Sequence, residues 1–178
     1  GGVRVVIEVT GCGVGVTPLR GLSCGIRADG AAAVMVTRVD QAKDFKAMPI
    51  HLRGQGFGLR HSHIGEHKYR TTTGAVESGA AAFRSAGVTP AEIDVAQIYD
   101  CFTITVIVEL EELGFCPKGS GGRLVEGGRI RLGGELPWTT HGGLLPGGHP
   151  GVPGGLFPAL GGVRRLRPDA GVSLVEDV

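Results

Sequence analysis

The sequence predicts an α/β fold, a layered domain with a mixed central sheet flanked by helices. Three observations predict it. Apolar β-branched runs alternate along the chain with stretches of helical period. Of 178 residues, 42% are hydrophobic and 20% charged, the balance of a chain that buries one core. The 33 glycines show no three-residue period, which excludes collagen and leaves a turn-rich domain.

Residues 3–9 (Val-Arg-Val-Val-Ile-Glu-Val) read as a first strand, closed by Gly11, Gly13 and Gly15. That glycine spacing is not a dinucleotide fingerprint, no lysine-serine pair follows, and Thr17-Pro18 stops a helix, so phosphate binding is disfavoured there. Residues 1–16 are read as an atypical strand and glycine-rich turn ahead of the domain expected over residues 17–178. The small-residue run 31–37 follows the Asp29-Gly30 turn as a buried strand. Residues 41–46 are a short polar helix or turn, residues 49–53 a further strand and residues 54–58 a loop. Residues 73–86 are a helix of small residues with Gly87 as its C-cap. Thr89-Pro90-Ala91-Glu92 is a helix-start signal, and residues 95–99 are a short strand.

Residues 102–108 pose a conflict, because their β-branched run alone favours a strand. Phe102, Val106, Leu110 and Leu113 nevertheless recur at helical spacing. Asp100 can cap, and three glutamates precede Gly114, so the expectation is a buried helix over 101–113. A last helix over 156–167 carries arginines near its end, where cations suit the dipole, and residues 172–175 close the chain as a strand.

Chemistry concentrates in residues 141–155. Seven of these fifteen residues are glycine, three proline and two histidine, which predicts a tightly turned loop with bare backbone amides and two imidazoles usable near neutral pH. A plain flexible linker is the competing reading, but Leu144, Leu145, Leu156, Phe157 and Leu160 argue that the region packs. His61, His63 and His67 are expected to make ordinary hydrogen bonds at a solvated loop edge. Lining a substrate entrance or holding a metal are the alternatives, and no metal is assigned. Cys12, Cys24, Cys101 and Cys116 form no close metal or redox pair, and Cys101 reads as a small structural residue. The expectation is a reduced, cytoplasmic protein. A net charge of +1 gives no reason to expect nucleic acid, and no apolar run reaches membrane-spanning length. The arginines at 123, 129 and 131 read as a solvated face, with coenzyme A phosphates as a second possibility.

Gly148-His149-Pro150-Gly151-Val152-Pro153-Gly154 resembles the Gly-His-Pro-x-Gly-x-x-Gly signature of the thiolase superfamily. Residues 93–102, with Tyr99-Asp100-Cys101-Phe102 at their end, are similar to the family's segment ending in Asn-Glu-Ala-Phe, in the form of the lipid-transfer-protein or sterol-carrier-protein-linked branch. Residues 28–34 and 114–143, with Glu126-Gly127-Gly128 and Gly133-Gly134-Glu135-Leu136-Pro137, look like the same branch. The resemblance covers residues 17–175 and corresponds to the carboxyl-terminal part of a family member.

The resemblance implies a thiolase-like fold and a domain acting on carbon–carbon bonds of acyl-CoA, as acyltransferase or retro-aldolase. His149, Tyr99 and, more weakly, His141 would be the catalytic residues, and Gly143, Gly148 and Gly151 would line the coenzyme A thioester. No cofactor is implied beyond that thioester as substrate. The family's acylated cysteine lies in an amino-terminal half that nothing here resembles, and its Cys-x-Gly-Gly turn has no counterpart before Val178. The expectation is thus a domain inactive in acyl transfer on its own. The alternative is a non-catalytic domain that binds acyl-CoA or assembles a complex. Implied partners are a second thiolase half or copy, through an uncovered face of the 76–83 helix, and a small zinc and OB-fold acyl-CoA-binding protein.

Overall fold

The computed structural model describes the backbone of residues 14–16, and residues 19–62, 65 and 68–167. The strands expected at 3–9 and 172–175, together with Cys12, His63 and His67, lie outside the described residues.

The described residues are predominantly helical, and this corrects the expected mixed central sheet. Strand β1 (Val14–Val16) pairs antiparallel with β2 (Leu19–Arg20), and no other strand is formed among them. Three single-pair bridges complete the extended pairing: Cys24 with Phe102, Arg27 with His149, and Ala96 with Trp138. The reason lies in what a strand requires. Propensity is local, whereas a ladder needs a neighbouring backbone. Residues 31–37 find none, and Met35 and Val36 stand 76% and 82% exposed. Residues 49–53 are likewise not a strand, and residues 95–99 make only the Ala96 bridge.

The helices follow the sequence more closely. Helix α1 (Val39–Ala42) is a single turn. Helix α2 (Ala75–Ala86) ends at Gly87, whose φ of 71° is the left-handed cap that glycine adopts freely. Extended residues 54–58 lie against α2 so closely that a Cβ at Gly54, Gly56 or Gly58 would collide with the backbone of Ala82, Ser78 or Gly74. The apolar face expected to be uncovered on this helix is covered in part, by that segment on one side, by Leu113 against Gly79, and by an edge-to-face contact of Phe83 with Phe115, while Val76 and Ala80 stay exposed. The Thr89 start signal opens only a three-residue turn, Pro90–Glu92, with the Thr89 N–H and hydroxyl both donating to Glu92.

Helix α3 (Thr103–Glu112) forms through its β-branched run because Val106 and Leu110 bury against Ala96, Ile98 and Leu136, with Ile93, Leu113, Phe115 and Trp138 around them. Burying a Val or Leu side chain stabilises by about 1.5–3 kcal/mol, more than the few tenths of propensity against β-branched residues. Its glutamates tie it to neighbours. Glu112 accepts from the Thr73 N–H and hydroxyl, and Glu111 from the Gly121 N–H at 2.9 Å, the start of α4 (Gly121–Val125). Helix α5 (Leu144–Gly147) lies within the glycine-rich loop, where no helix was expected. Helix α6 (Leu156–Arg165) tolerates Gly161 in its middle because Gly161 packs directly on the His141 ring.

Candidate active site

The segment 24–28 runs between the two stretches that carry the expected catalytic residues. Its Gly25 N–H donates to the Cys101 carbonyl at 2.8 Å on one side. On the other, the His149 N–H donates to the Ile26 carbonyl at 2.6 Å, and the Ala28 N–H donates to the His149 carbonyl at 3.2 Å. Tyr99 and His149, fifty residues apart, are thereby brought ring to ring, with centroids 5.4 Å apart and planes at 84°. The Tyr99 hydroxyl is hydrogen-bonded to His149 Nε2.

The other ring nitrogen fixes the direction of that bond. The Gly151 N–H donates to His149 Nδ1 at 2.9 Å, so Nδ1 is the acceptor and the neutral ring carries its proton on Nε2. His149 then donates to the Tyr99 oxygen, which leaves the phenolic proton free to be donated elsewhere. The pKa of Tyr99 is pushed up to about 12, first by burial and then by the neighbouring Cys101, with the negative charge of Glu109 and Asp100 adding to it. At neutral pH this hydroxyl is a donor and not a base.

The pair opens on a cleft of about 660 Å³ lined also by Arg27, Asp29, Cys101, Phe102 and Pro150. Arg27 and Asp29 form a wall that was not expected at the site. The Asp29-Gly30 turn was visible in the sequence, but only the Arg27–His149 bridge puts its neighbour beside the imidazole. Cys101, expected to be structural, also faces the cleft, with its sulfur 3.6 Å from the Thr105 hydroxyl.

Asp100 holds the loop in place. It is 2% exposed and accepts from the Leu144 N–H at 2.7 Å and the Leu145 N–H at 3.2 Å, while fully buried Leu144 plugs the space beneath. Asp100 therefore caps α5 and not α3, whose N-cap is Phe102. Gly143, with φ of 82°, passes so close to the Asp100 carboxylate that a Cβ would strike it.

The glycine amides of the loop serve the loop itself. The Gly148 N–H donates to the Leu144 carbonyl, and the Gly151 N–H orients His149. A Cβ at Gly148 would meet the Ala28 side chain at 2.6 Å. His141 stands apart from the pair. Its Nδ1 is 2.9 Å from the Gln97 side-chain oxygen, and burial lowers its pKa, with nearby Asp100 opposing. It does not line the cleft. Among the described residues there is no cluster of three or more His, Cys, Asp or Glu that could hold a metal, and no helix long and apolar enough to cross a membrane.

A cleft with a tyrosine–histidine pair beneath a Gly-His-Pro loop defines a carboxyl-terminal domain of the thiolase type. The family profile described as "Thiolase C-terminal domain-like" matches residues 56–178, and the chain belongs to the thiolase superfamily, in its lipid-transfer-protein and sterol-carrier-protein-linked branch. It is 38% identical over 164 residues to an acetyl-CoA acetyltransferase of Methanothermobacter thermautotrophicus, covering 89% of this chain and 42% of that protein. It is 37% identical over 133 residues to the 17-hydroxy-3-oxo-4-pregnene-20-carboxyl-CoA lyase of Mycobacterium tuberculosis, covering 72% of this chain and 34% of the lyase. The solved structure of an Ltp2-ChsH2(DUF35) aldolase superposes with a TM-score of 0.76 at 28% identity, over 89% of this chain and 42% of that one. The chain thus spans less than half the length of these relatives.

Proposed function

We propose that this chain is a CoA-thioester-binding domain that contributes the Tyr99–His149 half of an aldolase-type site and turns substrate over only in an assembly with a protein partner. The observation that carries the reading is the ordered relay from the Gly151 amide through His149 to Tyr99, which aims one phenolic donor into the cleft.

Retro-aldol cleavage of a β-hydroxyacyl thioester removes the hydroxyl proton, breaks the Cα–Cβ bond to give a carbonyl, and leaves a thioester enolate that takes up a proton. A donor beside the thioester oxygen stabilises that enolate, and losing such a donor costs about 10²–10³ in rate. Acyl transfer asks for more, namely a thiolate that carries the acyl group and a base for the acceptor. The polar groups beside the Cys101 thiol are the hydroxyls of Thr105 and Tyr99, and neither is a base at neutral pH. The likeness to a CoA lyase supports the cleavage reading, and the likeness to an aldolase that pairs Ltp2 with ChsH2 supports a protein partner. Assembly without catalysis is the second reading, favoured by the likeness to an aldolase that pairs Ltp2 with ChsH2.

The test is an assay of wild type, Tyr99→Phe and His149→Ala with acyl-CoA and β-hydroxyacyl-CoA, alone and after cysteine alkylation. The reading expects thioester binding without condensation by the chain alone, weakened in both variants and indifferent to alkylation. Condensation that alkylation abolishes would contradict it and place the nucleophile in the chain.

A further inference from the structure

A second pocket, of about 510 Å³, shares no lining residue with the Tyr99–His149 cleft. Its walls include Ile130, Arg131, Leu132, Trp138, Thr140 and Arg165. Three independent features mark it. Arg165 is 6% exposed; its Nη2 donates to the Thr140 carbonyl at 2.5 Å, but its Nη1 is buried with no hydrogen-bond partner. Trp138 Nε1 is a second buried donor without a partner. Thr139, also in the wall, holds a φ of 43°, a left-handed conformation rare for a β-branched residue.

A guanidinium out of water with no counter-charge is strongly disfavoured, and two orphaned N–H donors add to the cost. No described residue forms an ion pair with Arg165, whereas Arg38, Arg60 and Arg129 are each paired with a carboxylate. Burial alone lowers the Arg165 pKa, with no acidic neighbour raising it. What would satisfy the charge and the two donors is an acceptor-only group with several oxygens, carrying negative charge and small enough for the pocket.

We infer that this pocket binds the oxyanion of a small ligand, a phosphate or a carboxylate, on the Arg165 guanidinium, with Arg131 adding charge from the wall and the wall side chains shifting to bring the sealed Arg165 Nη1 and Trp138 Nε1 to it. Trp138 is the protein's single tryptophan, so indole fluorescence reports on this pocket alone.

The test titrates the full chain with inorganic phosphate and, separately, with acetate, against sodium chloride at matched ionic strength. Saturable change in Trp138 fluorescence with either anion, absent with chloride, supports the site, and the stronger of the two identifies the preferred oxyanion. Arg165→Met is expected to abolish saturation and Arg131→Gln to weaken binding about three- to tenfold. Should Arg165→Met fail to fold, by circular dichroism, the decision falls to the wild-type indole N–H resonance, which must shift downfield on saturation with the anion. No saturation in wild type, or an unchanged response in both variants, overturns the inference. So does phosphate binding that emerges only in Asp169→Asn, Glu176→Gln or Asp177→Asn, which would show that one of the chain's own carboxylates fills the pocket.

Discussion

His149 owes its orientation to an amide two residues away, and Asp100 is held by two amides forty-odd residues away. In each case a polar atom near the cleft is committed to holding geometry, and this is why Gly143 admits no side chain. Gly143→Ala puts a methyl group into the Asp100 carboxylate at a positive φ and is expected to destabilise by about 2–4 kcal/mol, read as a lower denaturation midpoint at unchanged slope. Stability indistinguishable from wild type would show that the loop is not held as described. Glu109 gives a pH signature. Its pKa is raised to about 8, first by burial and then by Glu112 and Asp100. A carboxyl raised in the folded state favours folding fully below its unfolded value of about 4.3, and that contribution is lost as pH climbs to about 8. Glu109→Gln should therefore match wild-type stability near pH 4 and exceed it increasingly as pH rises to 8. A difference that stays constant from pH 4 to 8 would contradict the buried, raised carboxyl.

Among the elements, the most exacting contact is between the extended residues 54–58 and α2, where alternate glycines face Gly74, Ser78 and Ala82. Gly56→Ala is expected to cost about 2–3 kcal/mol or more, because the atom its Cβ meets is the backbone oxygen of Ser78 and cannot rotate away. Gly122→Ala, which meets nothing within 4 Å, should be tolerated and serves as the control. Chevron or equilibrium denaturation giving equal midpoints for both would contradict this packing. Helices α2, α3 and α6 were legible in the sequence because a helix satisfies its own backbone, so periodicity and a glycine cap suffice to reveal it. Residues 31–37 and 49–53 were not, because the same β-branched residues make a strand only where a partner backbone lies alongside. Tyr99 and His149 were found through motif resemblance, but no spacing along the chain reveals that segment 24–28 joins them. Arg27 and the orphaned Arg165 and Trp138 nitrogens had no sequence signal at all, since arginines and tryptophans are ordinary until their partners are seen.

For the molecule as a whole, large apolar side chains stand in solvent along one length of chain: Val34, Met35, Val36, Val39, Met48, Leu52, Phe57 and Leu59. Such a run of exposed apolar residues is unusual for a solitary domain and is where a partner would be sought. Sedimentation velocity at tens of micromolar should show association that Val36→Glu with Leu52→Glu suppresses, and a clean wild-type monomer would contradict it. The proposed chemistry of the cleft turns on the direction of one hydrogen bond, because only an Nε2–H tautomer of His149 would free the Tyr99 proton for a substrate. Long-range ¹H–¹⁵N correlation spectra of the imidazoles, with the His149 signals assigned by their loss in His149→Ala, measure this directly. A protonated Nε2 and an unprotonated Nδ1 are expected at neutral pH; a protonated Nδ1 with a bare Nε2 would contradict the donor role of Tyr99.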